Sequence, residues 1–149
     1  MSPAPSIEER YNQDIADKFL EMASSMAGGL PGYLGIELVK FEPGKLWCRA
    51  LVTDELLTPF GNAHGGVLAA VIDHITGVVV YPLMKPGQWA ATTEVKLNYI
   101  APVQTGVVEA EASVLAMTNR SAVVRGELTY NGRLVCAAQG TLTIVQPRA

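Results

Sequence analysis

Along residues 7–27 the apolar side chains Ile15, Phe19, Leu20, Met22 and Met26 recur at three- and four-residue intervals among Asp, Glu and Lys, which predicts an amphipathic helix. Gly28 and Gly29, with Pro31 and Gly32 behind them, are expected to end it. Leu34 to Phe41 and Lys45 to Thr53 are β-like runs on either side of Pro43-Gly44, a hairpin signature. A polar link from Asp54 to Asn62 then leads to the most apolar stretch of the chain, the twenty residues from Gly65 to Met84, predicted as a helix closing near Pro82. Beyond Pro86-Gly87 come Trp89 to Ile100, Gly106 to Thr118, Ser121 to Tyr130 and Arg133 to Val145, all strand-like. Asn131-Gly132 between the last two predicts a two-residue type I′ turn. Within the first of these runs Thr93, Val95, Leu97 and Tyr99 alternate with Glu94, Lys96 and Asn98, so one sheet face is expected to be buried.

The order is helix, two strands, a very apolar helix, then four strands: an α+β architecture. A helix apolar on nearly every side is expected to be wrapped, and a curved antiparallel sheet can wrap it. Residues 1–32 read as an N-terminal tail and helix, residues 33–149 as the main body, and the 149 residues together as one domain. The apolar stretch is long enough to span a bilayer. Asp73 and His74 stand at its centre, however, and a mid-bilayer Asp costs about 2.5–3.5 kcal/mol, so a helix buried in protein is expected instead.

Fourteen acidic against eleven basic residues give a net charge of −3, which argues against nucleic acid as a partner. Cys48 and Cys136 lie far apart in strand-like runs, outside any metal-ligand or redox spacing, and read as reduced structural thiols. Met1 to Glu9 lacks a basic segment followed by an apolar one, so a cytoplasmic location is expected, with no membrane partner.

Candidate chemistry concentrates where Thr58-Pro59-Phe60-Gly61-Asn62-Ala63-His64-Gly65-Gly66 runs into the apolar helix. Two successive glycines are costly in a helix unless backbone must approach something closely. The first N–H groups of a helix lack internal acceptors and sit at the positive end of its dipole. Gly65 N–H is therefore a candidate donor to a developing oxyanion; tight packing of the helix end against the sheet is the alternative. Asp73 is a carboxylate on a helix almost free of other charge, where a partner or a task is expected. Eight residues separate Gly65 from Asp73, about 12 Å along one helix, too far for both to act on one carbon within about 3 Å. If they serve one reaction, two antiparallel helices must pair across a two-fold axis, making a homo-oligomer: at least a dimer, with pairing of dimers into a tetramer left open.

His64-Gly65-Gly66 followed by Asp73 on the same helix resembles the hotdog thioesterases of the phenylacetate-degradation (PaaI) and 4-hydroxybenzoyl-CoA types. The strand ending in Tyr99-Ile100-Ala101-Pro102, then Gly106, the Asn119-Arg120-Ser121 link and Gly140-Thr141 extend the resemblance over residues 33–146. It implies a hotdog fold, an acyl-CoA substrate, no dissociable cofactor and a site at the dimer interface. Gly65 would polarise the thioester carbonyl while Asp73 of the partner subunit attacks it or activates a water. Relatives carry Asn or Gln six residues before the histidine; here that position is Thr58, with Asn62 as a possible substitute. Thr92 matches a hydroxyl that assists the carboxylate or the water, and Gly66, Asn119, Arg120 and Ser121 match positions that contact substrate or CoA. His64 is expected to orient the turn and His74 to be structural; the two histidines, ten residues apart with no third ligand at useful spacing, argue against a metal. Val67, Leu68 and Ile72, with the Tyr81 to Trp89 segment, are expected to bound the acyl pocket. Two rivals remain: a non-catalytic acyl-CoA-binding protein and an enoyl-CoA hydratase or dehydratase of the same fold.

Overall fold

The structure is a computed structural model that describes residues 3–25 and 28–148. Two caps divide the N-terminal amphipathic segment. Ser6 and Glu9 form a reciprocal capping box that opens α1 (Ile7–Arg10), and Asn12 Oδ1 accepts from the N–H groups of Asp14 and Ile15 at the start of α2 (Gln13–Ser25). The uninterrupted helix expected from periodicity is thus two helices, because Asn12 offers its own backbone a competing bond; Met26 and Ala27 lie outside the described residues. Asn12 N–H also donates to the Pro82 carbonyl at 2.8 Å, pinning this joint to the far end of the apolar helix. The Gly-Pro stretch expected to be non-helical forms a short α3 (Gly29–Tyr33), since Pro31 falls in its first turn, where no intrahelical N–H is needed. Leu34 N–H then closes on Leu30, so β1 (Glu37–Glu42) begins later than expected.

The remaining elements are β2 (Lys45–Val52), α4 (Gly65–Val78), a 3-10 turn at Tyr81–Leu83, β3 (Trp89–Tyr99), β4 (Gly106–Met117), β5 (Ser121–Tyr130) and β6 (Arg133–Val145). The strands make one antiparallel sheet in the order β1-β2-β4-β5-β6-β3, so β3 is an edge although it is central in the chain. Tyr130 pairs with Arg133 across Asn131-Gly132, both at positive φ as a type I′ turn requires.

α4 lies across one face of the sheet, and its depth is fixed by Gly126 on β5. A Cβ there would stand 2.9 Å from Ile72 Cδ1 and 3.1 Å from Thr76 Cγ2. Leu68, Val71, Ile72, Ile75 and Thr76 form the buried stripe of the helix, packed in the core with Leu46, Leu128 and Leu142. The expected arrangement, an antiparallel sheet against a central apolar helix, is the one observed. The sheet covers one side, while Gly66 and Asp73 are exposed and Ala69, Ala70, Gly77 and Val78 are half-covered. Gly65–Leu83 is apolar and long enough to cross a membrane, yet half of it is buried as the core helix of the protein.

Candidate active site

α4 is started by a histidine. His64, at the N-cap in extended backbone, accepts the Gly66 N–H on Nδ1 at 2.9 Å, a bond that fixes Nδ1 as the unprotonated nitrogen of a neutral ring. Both glycines have a packing reason. A Cβ on Gly66 would come 3.1 Å from that nitrogen, and one on Gly65 would meet the Tyr99 ring at 3.3 Å. Tyr99 also donates its hydroxyl to the Gly65 carbonyl at 3.0 Å. The close-packing alternative therefore holds, and it leaves one group over: among the described residues nothing accepts from the Gly65 N–H. That N–H opens beside a cavity of about 350 Å³ lined by Gly65, Leu68, Tyr99, Ile100 and Pro102. Tyr99 is the neighbour that sequence reasoning passed over, read only as part of a strand-Pro pattern.

The loop before the helix is tightly closed. Thr58 N–H donates to the Asn62 carbonyl at 2.7 Å and Gly61 N–H to the Thr58 carbonyl at 2.9 Å, with Gly61 at φ +81°. Thr58 Oγ1 accepts the Phe60 N–H, which leaves its own proton free to donate, and Asn62 is half-buried at the base of the loop. Phe60 stands at the tip, 90% exposed.

Two turns further along α4, Asp73 Oδ1 accepts the hydroxyl proton of Thr92 at 2.8 Å. A β-bulge between Thr92 and Glu94 makes this contact possible. Strict alternation sets Thr93 on the face of Val95 and Leu97, and with it Thr92 on the other. In the structure the extra residue reverses the phase, so Thr92 turns to the helix while Thr93 bonds Thr143 on the opposite face. Gly140 lies across from the bulge, where a Cβ would sit 2.7 Å from the Glu94 carbonyl oxygen. The Asp73 side chain is exposed in the protomer. It borders a second cavity, about 200 Å³, lined by Leu30, Leu34, Ile36, Ala70 and His74. His74 is half-buried, and burial lowers its pKa, partly offset by the neighbouring Asp73 charge.

Of the residues expected to bound an acyl pocket, Ile72 is fully buried against Gly126, and Leu68 lines the cavity beside Gly65. Val67 is half-buried, and Trp89 is exposed. The β4–β5 link lies apart from both cavities just described. Asn119 Oδ1 accepts from Arg10, the Ser121 hydroxyl pairs with Thr118, and the Arg120 guanidinium has no hydrogen-bond or ion-pair partner among the described residues. Among those residues no three His, Cys, Asp or Glu side chains converge.

Residues 60–137, over half of the chain, match the thioesterase superfamily model. The chain belongs to this superfamily. This thioesterase is a thioester hydrolase with a hotdog fold. It is 28% identical to the 1,4-dihydroxy-2-naphthoyl-CoA hydrolase of Listeria monocytogenes, over 80% of its own length and 98% of that protein. It is also 28% identical to human acyl-coenzyme A thioesterase 13, over 72% and 77% of the two chains. Among solved structures, a phenylacetic acid degradation-related protein from Ralstonia eutropha superposes with a TM-score of 0.77 at 28% identity, covering 84% of this thioesterase and 98% of that chain. A variant of PaaI, the phenylacetic acid degradation protein of Thermus thermophilus, superposes at 0.69 with 27% identity, covering 76% and 96%.

Proposed function

We propose that this thioesterase hydrolyses an acyl-CoA to the free acid and CoA at a site shared by two subunits. Gly65 N–H of one subunit polarises the thioester carbonyl, and Asp73 of the other acts as nucleophile or general base. The carrying observation is a division along α4: an unpartnered N–H at Gly65 and, two turns later, an exposed carboxylate held by Thr92. One protomer presents each half of the chemistry at a separate place. Antiparallel pairing of two α4 helices brings unlike halves together twice, and β3 offers the means, as an eleven-residue edge strand with its outer hydrogen-bonding groups unpaired in the protomer. The substrate class is supported by the relatives whose names specify CoA thioesters.

With Asp73 as base, it takes a proton from water and the hydroxide adds to the carbonyl carbon. The resulting oxyanion is held by Gly65, and its collapse breaks the C–S bond and releases the CoA thiol, which carries the proton away. With Asp73 as nucleophile, its carboxylate adds to the carbonyl carbon and the C–S bond breaks to release CoA thiolate. Water then cleaves the resulting mixed anhydride to the free acid and Asp73, and the proton released goes to the thiolate. Thr92 orients the carboxylate in both routes. His64 sets the helix start, Gly66 supplies the N–H that holds the His64 ring, and Thr58 and Asn62 close the loop before the helix. The Arg120 guanidinium, unpaired among the described residues, supports a role on a CoA phosphate.

Complementation between inactive subunits tests this reading. Asp73→Asn removes one half. Gly65→Pro removes the other, because proline is accepted at the first position of a helix and deletes that N–H. Its Cβ also presses on the Tyr99 ring, so Gly65→Ala, which adds the Cβ and keeps the N–H, is the control and should retain activity. Asp73→Asn and Gly65→Pro should each be inactive alone towards a panel of acyl-CoAs assayed by thiol release. Refolded as an equal mixture they should regain about a quarter of wild-type activity, since about half the dimers are mixed and one of the two sites in each is intact. No recovery on mixing would place both groups in one chain and overturn the shared site; undiminished hydrolysis by Asp73→Asn would overturn the mechanism.

A further inference from the structure

Five consecutive N–H groups, Ala63 to Val67, lead into α4, and four of them have acceptors among the described residues. Ala63 donates to the Val103 carbonyl at 2.7 Å, His64 to the Leu56 carbonyl at 3.0 Å, Gly66 to His64 Nδ1 at 2.9 Å and Val67 to the His64 carbonyl at 2.9 Å. The Gly65 N–H lies between these bonded neighbours with no acceptor of its own, so its direction is set by the two peptide groups that flank the Gly65 Cα. The peptide before it, His64–Gly65, is tied through its carbonyl to Val67. The peptide after it, Gly65–Gly66, is held by side chains at both polar atoms: its N–H by His64 Nδ1, its carbonyl by the Tyr99 hydroxyl at 3.0 Å.

The tyrosine clamp comes from outside the helix, where it is needed. The first turn of a helix frays most easily, and a glycine there has no Cβ to restrict its backbone. Tyr99 offsets this freedom in two ways. Its hydroxyl donates to Gly65, and its ring covers the glycine so closely that a Cβ would stand 3.3 Å from Cζ and 3.4 Å from the hydroxyl oxygen. The tyrosine is itself anchored: it closes β3 opposite Cys136 of β6, and the next two residues, Ile100 and Ala101, both donate to the Val135 carbonyl. Alternation sets it on the face of Val95 and Leu97, which pack on the core.

Thr92, near the start of the same strand, holds Asp73, so β3 carries one hydroxyl for each half of the proposed chemistry. We infer that Tyr99 is a positioning residue for the hydrolysis: its hydroxyl fixes the Gly65–Gly66 peptide and thereby aims the Gly65 N–H at the oxyanion. The inference rests on the hydrolase reading and adds to it a residue that acts through Gly65. A donor to the oxyanion binds most strongly in the transition state, so loss of its aim falls on kcat and spares KM.

Tyr99→Phe removes the hydroxyl and keeps the ring. With an acyl-CoA that the wild type hydrolyses, kcat should fall at least about tenfold while KM stays within about twofold. In heteronuclear NMR spectra, solvent exchange of the Gly66 amide proton should quicken about threefold to tenfold, the equivalent of one hydrogen bond lost from the clamp. Tyr130→Phe is the control. It loses a bond of the same kind, to the Thr105 carbonyl at 2.8 Å outside both cavities, and should leave kcat and Gly66 exchange unaltered. Unchanged kcat in Tyr99→Phe, unchanged Gly66 exchange, or a loss that falls on KM alone overturns the inference. Equal losses in Tyr130→Phe also overturn it, since the effect would then be one of general stability. Absence of turnover by the wild type with every acyl-CoA strikes at the hydrolase reading instead, and Gly66 exchange still decides whether the hydroxyl holds that peptide.

Discussion

Thr92 donates its hydroxyl proton to Asp73 across 2.8 Å, and it can do so only because β3 is bulged at the next residue. A helix carboxylate and a strand hydroxyl nineteen residues apart are thus set against each other by one extra residue in an edge strand. Thr92→Val should keep the shape and lose the bond, lowering kcat by about tenfold to a hundredfold with little change in melting temperature. Thr92→Ser should recover most of it. Equal kcat in Thr92→Val and wild type would remove Thr92 from the mechanism.

Gly140 is where that arrangement can be broken from a distance. A methyl group there meets the Glu94 backbone oxygen, which cannot turn aside as a side chain might. Gly140→Ala should cost about 1–3 kcal/mol of stability and lower activity together, as the bulge flattens and Thr92 leaves Asp73. Urea unfolding and kcat measured on the same preparation check the pairing of the two losses.

Gly126→Ala tests the seat of the core helix. The added methyl presses on Ile72 and Thr76, both fully buried, so α4 must lift from the sheet or shift along it. The expected cost is again about 1–3 kcal/mol, read as a lower urea midpoint at unchanged slope.

The pH dependence of stability has two arms. Burial lowers the pKa of His74 below its ordinary 6.5, so the unfolded chain binds its proton first as pH falls; stability present above pH 6.5 should decline below it. Burial pushes the Cys48 thiol up to about 12 from 9.0, so between those values the unfolded chain loses its proton first and stability should fall as pH rises. His74→Gln should flatten the acid arm and Cys48→Ala the alkaline one, in unfolding curves taken at pH 5.5, 7.5 and 10.

Neither cysteine should react in the native state. Cys48 and Cys136 are buried with raised pKa values, so a thiol reagent at pH 8 should count none until denaturant is added, and then two.

Much of this molecule is legible in its sequence. The six strands, the type I′ turn at Asn131-Gly132 and the apolar helix follow from periodicity and turn chemistry, because each is a local signal. The segment from His64 to Asp73 stood out for similar reasons, as glycines and a carboxylate where neither is cheap. What periodicity could not give is the tertiary override. Alternation counted back from Val95 puts Thr92 on the wrong face, and only pairing with β6 reveals the bulge. The covered side of α4 was likewise hidden, since Ala69, Ala70 and Val78 look no different from Val71 and Ile75 until the sheet chooses a side. Arg10 carried no signal at all. Its place beside Asn119, 109 residues later, is set by a cap at Ser6 and a methyl contact at Gly44.

The uncovered side of α4 has a kinetic consequence. An enzyme whose reaction centre is completed by a second copy obeys mass action, so its specific activity depends on its own concentration. On serial dilution, turnover per subunit should hold constant and then fall below the dissociation constant of the pair. Substrate spanning both subunits should shift that fall to lower concentration, and the protein would then be most strongly assembled when there is most thioester to cleave.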